Sequence, residues 1–392
     1  MVASIQRLAG ALLAGFVLAG VALLYWGVIR APDLVAREDN PRLVQAEMRV
    51  LRGRLLDRDG LVLAYSEARG PGDIVRRTYP HKEAAQAVGY YSLRYGAGGC
   101  EAVFDATLRG SLTRLEVLLH RPQAGTDVRL SMSLGVLRAA DQGLGDRRGA
   151  VVALDVDTGE ILALVSHPSY DANRLDNEWD ALISDADAPL LNRTTQGVYP
   201  VGDLARWVGL TGLLSSGITS PPDPTGAPLA EMLRPLSEMG YLATAHQLGF
   251  DAVPPVDLPS SPGRLPDFGD KGTPRDLAVT PMHMVRFVAA VAGDGRMPVP
   301  QLGGAPEGSP GERVFAESVS AAVRAVTPQY GGLAGWVGVA QPEETGSEPL
   351  SWFVGYAPVE EPRYALVVVV EGSGDGEATT VPVAHRIIAE LR

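Results

Sequence analysis

In "NRTTQGVYPVGDLARWVGL", residues 192–210, an apolar turn and a Pro-x-Gly bend lead into the first turn of a helix. A bend of this kind can present a nucleophilic hydroxyl, with a base one turn later to take its proton. Here the first turn carries Asp203 and, three residues on, Arg206. A carboxylate can attack a carbon centre in some hydrolases. Acylated by a peptide, however, it would give an unstable anhydride. Arg206 cannot act as a base, because a guanidinium stays protonated up to a pKa above about 12. The structural roles are simpler. A carboxylate in the first turn interacts favourably with the helix dipole by roughly 0.3–1 kcal/mol. Asp203 and Arg206, three apart, are also spaced to pair with each other.

Other chemistries can be searched for directly. The chain has two lysines, Lys82 and Lys271, preceded at three residues by Tyr79 and Phe268, so no Ser-x-x-Lys exists anywhere in it. No Gly-x-Ser-x-Gly elbow occurs, and the six histidines form no His-x-x-x-His pair. No metal or other cofactor is expected. The formal net charge of −12, with no Lys/Arg-rich block, argues against a nucleic-acid partner. One cysteine, Cys100, excludes an intrachain disulfide framework and reads as a small buried apolar residue.

These residues need elements to hold them. Leu8 to Ile29 is a stretch of 22 residues without a charge. At 1.5 Å per residue it spans about 33 Å, enough for a bilayer core. It is longer than the apolar region of a cleaved signal peptide, so a retained anchor is expected, with Tyr25 and Trp26 at the interface. Residues 52–64, "RGRLLDRDGLVLA", read as a hairpin whose Asp57, Arg58 and Asp59 form a turn with solvated salt bridges. From Asp127 the texture changes. A strand enters a helix, and a second hairpin joins Val151–Val156 to Glu160–Val165. Near the end, "LSWFVGYAP" and "RYALVVVVEG" read as consecutive strands and "VPVAHRIIAEL" as a closing helix. Pro/Gly-rich segments at 221–227, 253–274 and 298–312 read as loops. The pattern predicts an α+β fold with a partly antiparallel sheet.

Five segments, in order, resemble class B penicillin-binding proteins, the monofunctional D,D-transpeptidases that cross-link peptidoglycan. They are "RGRLLDRDGLVLA", "YGAGGCEAVFDATLRG", "GAVVALDVDTGEILALVSHPSYDAN", "AVTPMHMVRFVAAVAGDGRMPVPQL" and "WFVGYAP". The resemblance implies an anchor at 1–30, a dimerisation or pedestal-like module at 31–126, and at 127–392 a transpeptidase-like antiparallel sheet flanked by helices. It implies an anchor with its N-terminus inside and the bulk of the chain outside the plasma membrane, although Arg7 alone precedes the span while Arg30, Arg37 and Arg42 follow it. Family chemistry uses Ser-x-x-Lys at a helix start, Ser-x-Asn, and Lys-Thr-Gly on an edge strand.

By this resemblance Asp203 stands at the serine and Arg206 at the lysine. Ser237 and Met239 stand in the second motif, and Glu344, Thr345 and Gly346 in the third. Glu344 would repel a terminal carboxylate, and Met239 removes a substrate-orienting amide, so binding of penicillin or a stem peptide is doubtful. Ser237 reads as a helix cap, and His167 and His246 as satisfied groups. The resulting expectation is a membrane-anchored pseudo-transpeptidase, a non-catalytic scaffold or regulatory subunit in peptidoglycan synthesis or cell division. Its partner would be a peptidoglycan polymerase or another protein of the division or elongation machinery. The alternative is an enzyme: a residual D,D-transpeptidase or carboxypeptidase, or a hydrolase using Asp203 with Ser237 and Glu344. Acidic groups sharing such a cleft would split their pKa values.

Overall fold

The computed structural model describes residues 2–30, 47–68, 75–111, 123–218, 224–270, 272–303, 311–341 and 348–391. The first helix, α1 (Val2–Leu24), continues through a π-type turn at Tyr25–Ile29. Its apolar stretch Ile5–Ile29, mean hydropathy 2.3, is long enough to cross a membrane, and none of its most apolar window is buried.

A small sheet follows, formed by β1 (Leu55–Leu56), β2 (Val62–Ala68), β3 (Val75–Thr78) and β4 (Val128–Arg129) in the order β3-β2-β1-β4. The turn between β1 and β2 departs from its reading as solvated. Asp57 is fully buried. Its Oδ1 accepts from the N–H groups of Asp59 (2.9 Å) and Leu61 (2.8 Å), and its Oδ2 from the N–H of Leu134 (3.1 Å). Leu134 opens α2 (Leu134–Leu144), where Ser133 makes no side-chain cap bond. The carboxylate therefore caps a helix far along the chain, which needs burial rather than solvent. Arg58 does keep a solvated pair, 3.7 Å from Glu160.

The main body is a six-stranded sheet, antiparallel throughout. It contains β5 (Gly149–Asp155), β6 (Ile161–His167), β7 (Leu333–Ala340), β8 (Leu350–Ala357) and β9 (Tyr364–Glu371). The strand order is Gln329–Tyr330, β7, β8, β9, β5, β6. Strands β5 and β8 are buried residue by residue on both faces, as in a sheet covered by helices on each side. Alternate residues of β7 show the two layers. Trp336 stacks on Trp207 of α3 (Ala205–Ser215) and on Phe287, whereas Val337 abuts Gly376 at the start of the C-terminal helix. Between α3 and the late strands lie α4 (Glu238–Gln247) and α5 (Pro281–Ala292). The C-terminal helix, α6, spans Gly376–Leu391.

Candidate functional site

The candidate cleft is built around the start of α3. Gly202 opens a 3-10 turn, Gly202–Leu204, with φ +54. A side chain there would need a left-handed backbone and would collide with the Val339 carbonyl oxygen and Ala340 of β7. The glycine thus lets the helix start approach the edge strand. Gly338 does the same from the other side, leaving room for Leu204.

Asp203 lies in this turn, and its partner is not Arg206. Its Oδ1 sits 3.0 Å from Nη2 of Arg275, with side chains 38% and 54% exposed respectively. An ion pair this open contributes about 0–1 kcal/mol. Arg206 points elsewhere: its Nη1 donates to the carbonyl oxygens of Pro224 (2.6 Å) and Ala227 (3.4 Å). Loop carbonyls capture the guanidinium, so the expected helix pair does not form. Arg275 comes from a 3-10 turn at Pro274–Asp276, capped by Thr273 and Asp276.

Ser237 is the N-cap of α4, and its Oγ accepts from the N–H of Gly240 at 3.0 Å. The hydroxyl serves the helix end, as expected. Met239 is 73% exposed and faces solvent. Ser237 and Arg275 line one groove of about 610 Å³, so the structure brings Ser237 beside the partner of Asp203. Glu344, Thr345 and Gly346 lie outside the described residues.

The strand alongside the α3 start is β7. Its outer neighbour, Gln329–Tyr330, pairs only with Leu333 and Ala334, leaving the rest of that edge to Gly202 and Leu204. A triplet ending in glycine, Trp336-Val337-Gly338, occupies this stretch. Trp336 is buried, its ring 4.7 Å from Trp207 and 5.8 Å from Phe287 in stacked geometry. Its Nε1–H is buried without a hydrogen-bond partner among the described residues, a condition that costs about 1–3 kcal/mol. An indole therefore fills the space between edge strand and helix. Arg275 and Trp336 are the two residues at this cleft that sequence reading missed.

The family description "Penicillin binding protein transpeptidase domain" matches residues 149–220 and 230–389, more than half of the chain. The chain belongs to the class B penicillin-binding proteins. "Penicillin binding protein A dimerisation domain" matches residues 52–121. Among curated relatives, the peptidoglycan D,D-transpeptidase PbpA of Mycolicibacterium smegmatis is 28% identical over 98% of this chain and 98% of its own length. The enzyme MrdA of Escherichia coli is 33% identical over 42% of this chain and 25% of its own length. Among solved structures, penicillin-binding protein A of Mycobacterium tuberculosis matches with a TM-score of 0.77 at 25% identity, covering 87% of this chain and 99% of that one. The imipenem acyl-enzyme complex of the same protein also matches at 0.77.

Away from the cleft, the fold spends its polar groups on architecture. His167 sits 2.8 Å from both Asp141 and the Gly145 carbonyl. His246 sits 2.7 Å from Asp251. Both histidines are held as satisfied groups. His283 is buried at the start of α5, where its Nδ1 accepts from the Thr280 N–H at 3.2 Å and its Nε2 lies 2.8 Å from the Ala252 carbonyl. That pairing suits the neutral ring, and burial pulls its pKa down to about 4. Cys100 is fully buried, which pushes its thiol well above the usual range and makes it inert.

Proposed function

We propose that this chain is a membrane-anchored pseudo-transpeptidase: a penicillin-binding protein that keeps the fold and has given up acyl transfer. One observation carries the reading. At the helix start where the family's serine would stand, Asp203 is ion-paired with Arg275 at 3.0 Å. A carboxylate held by a cation is neither an acylable hydroxyl nor one half of an acid pair sharing a proton. The position of the family's lysine holds Arg206, which cannot shed its proton and is tied to the Pro224 and Ala227 carbonyls.

We assign the third motif to Trp336-Val337-Gly338 instead of Glu344-Thr345-Gly346, because β7 is the strand that runs along the helix start. The cation of Lys-Thr-Gly is then replaced by a buried indole, and no side chain on that stretch can hold a substrate carboxylate. With the α1 anchor in the membrane and the body outside the cell, the role left is that of a scaffold or regulatory subunit. It would act beside a peptidoglycan polymerase or another component of the wall-synthesis machinery; its relatives are named peptidoglycan D,D-transpeptidases.

The test is a gel assay with fluorescent penicillin on the full chain in detergent, run beside an active penicillin-binding protein. No covalent band is expected. A band that one side-chain substitution abolishes would overturn the proposal.

A further inference from the structure

The groove that contains Ser237 has a second use that does not need a nucleophile. It lies between the helical turn Leu229–Met232, α4 and the segment around Pro274, and encloses about 610 Å³, within the range of small-molecule sites. Its walls include Leu229, Leu233, Leu236, Tyr241 and Phe268. Among the described residues its charged lining is Arg234, Arg275 and Glu238, two cations to one anion. Arg234 is exposed and makes no ion pair among the described residues. Arg275 already holds a carboxylate at 3.0 Å, that of Asp203.

We propose that this groove binds a small amphipathic carboxylate, which takes Arg275 away from Asp203 while its apolar body fills the leucine-lined walls. Asp203 is then an internal competitor. Its pair with Arg275 is 38% and 54% exposed and so is held weakly. A ligand whose apolar part is removed from water adds a hydrophobic term that Asp203 lacks. The inference rests on the reading that Asp203 is not a nucleophile, and it concerns reversible binding only. Covalent labelling by penicillin would end that reading, whereas the measurements below test the groove by itself.

The full chain in lipid nanodiscs is titrated with 4-phenylbutyrate, with its neutral amide and with N-acetyl-Leu-Phe, by ligand-observed NMR with empty nanodiscs subtracted. Both carboxylates are expected to bind, and the amide about fivefold more weakly or less. Tighter binding of the dipeptide assigns a peptide terminus, and tighter binding of the simple acid assigns a free acid. Asp203→Asn should tighten carboxylate binding by about two- to fivefold, and Arg275→Gln or Arg234→Gln should weaken it by a similar factor. In the Arg275→Gln background the gain from Asp203→Asn should vanish. Arg234→Gln, at an exposed position, guards against a folding defect in the Arg275 variant. No binding, equal binding of acid and amide, or affinities unmoved by Asp203→Asn would overturn the proposal.

Discussion

The junction between the small sheet and the main body and the cleft at the start of α3 treat charge in opposite ways. At the junction, Glu101 is fully buried. Its Oε2 lies 3.0 Å from Nη2 of Arg52, and its Oε1 lies 2.7 Å from Nε of Arg77. Arg52 reaches on to Asp105 at 2.6 Å, and Tyr79 and Asn173 exchange backbone–amide hydrogen bonds across the two units. At the cleft the Asp203–Arg275 ion pair is open to solvent, Ser237 caps a helix, and Met239 faces water. Buried charges must be paired and hydrogen-bonded to be tolerated. Exposed ones can be exchanged cheaply. The polar groups of the junction therefore fix architecture, while the charged pair at the cleft contributes little to stability.

That contrast can be broken most sharply at Glu101. Glu101→Ala leaves the Arg52 and Arg77 guanidiniums buried without their carboxylate, and should cost about 3–5 kcal/mol in urea unfolding of the full chain in detergent. A loss of the same size belongs to Trp336. Trp336→Ala should cost about 3–5 kcal/mol through the lost stack and the cavity left behind. Trp336→Phe removes the unpartnered indole N–H as well as part of the ring, and should stay within about 1.5 kcal/mol of the parent. A large loss in the phenylalanine variant would mean that the indole N–H has a partner.

His283 gives a pH-dependent prediction. Its folded pKa, about 4, lies below the ordinary value of 6.5, so the unfolded chain binds the proton first. Its contribution is complete above pH 6.5 and is lost as pH falls from there toward 4, by up to about 3 kcal/mol. Urea unfolding across this window should show a slope that His283→Gln flattens. The smallest effect belongs to Asp203. Asp203→Asn should change stability by no more than about 1 kcal/mol. A larger loss, measured in the same unfolding assay, would place Asp203 with Glu101 and erase the contrast.

Much of this was legible in the sequence, and the exceptions have physical causes. The long apolar first helix, both hairpins, the late strand pair and the Thr-Pro helix are local patterns in which period and turn residues agree. Ser237 could be read as a cap because capping chemistry is local too. Asp57 was misread because a hairpin turn looks solvated until another element, α2, packs on it. Arg275 could not be found, since its pairing with Asp203 joins distant segments and leaves no spacing signal. Helical spacing allows Arg206 to pair with Asp203, but the Pro224 and Ala227 carbonyls hold its guanidinium instead. Trp336 carries no spacing signal either, because β7 is an apolar run that gives no hint of lying beside the helix start.

The central claim, that nothing at this cleft can be acylated, is tested most directly by intact-mass spectrometry of the full chain after incubation with penicillin G. The account predicts an unchanged mass. An added mass equal to one penicillin, lost when a single serine or Asp203 is substituted, would contradict it.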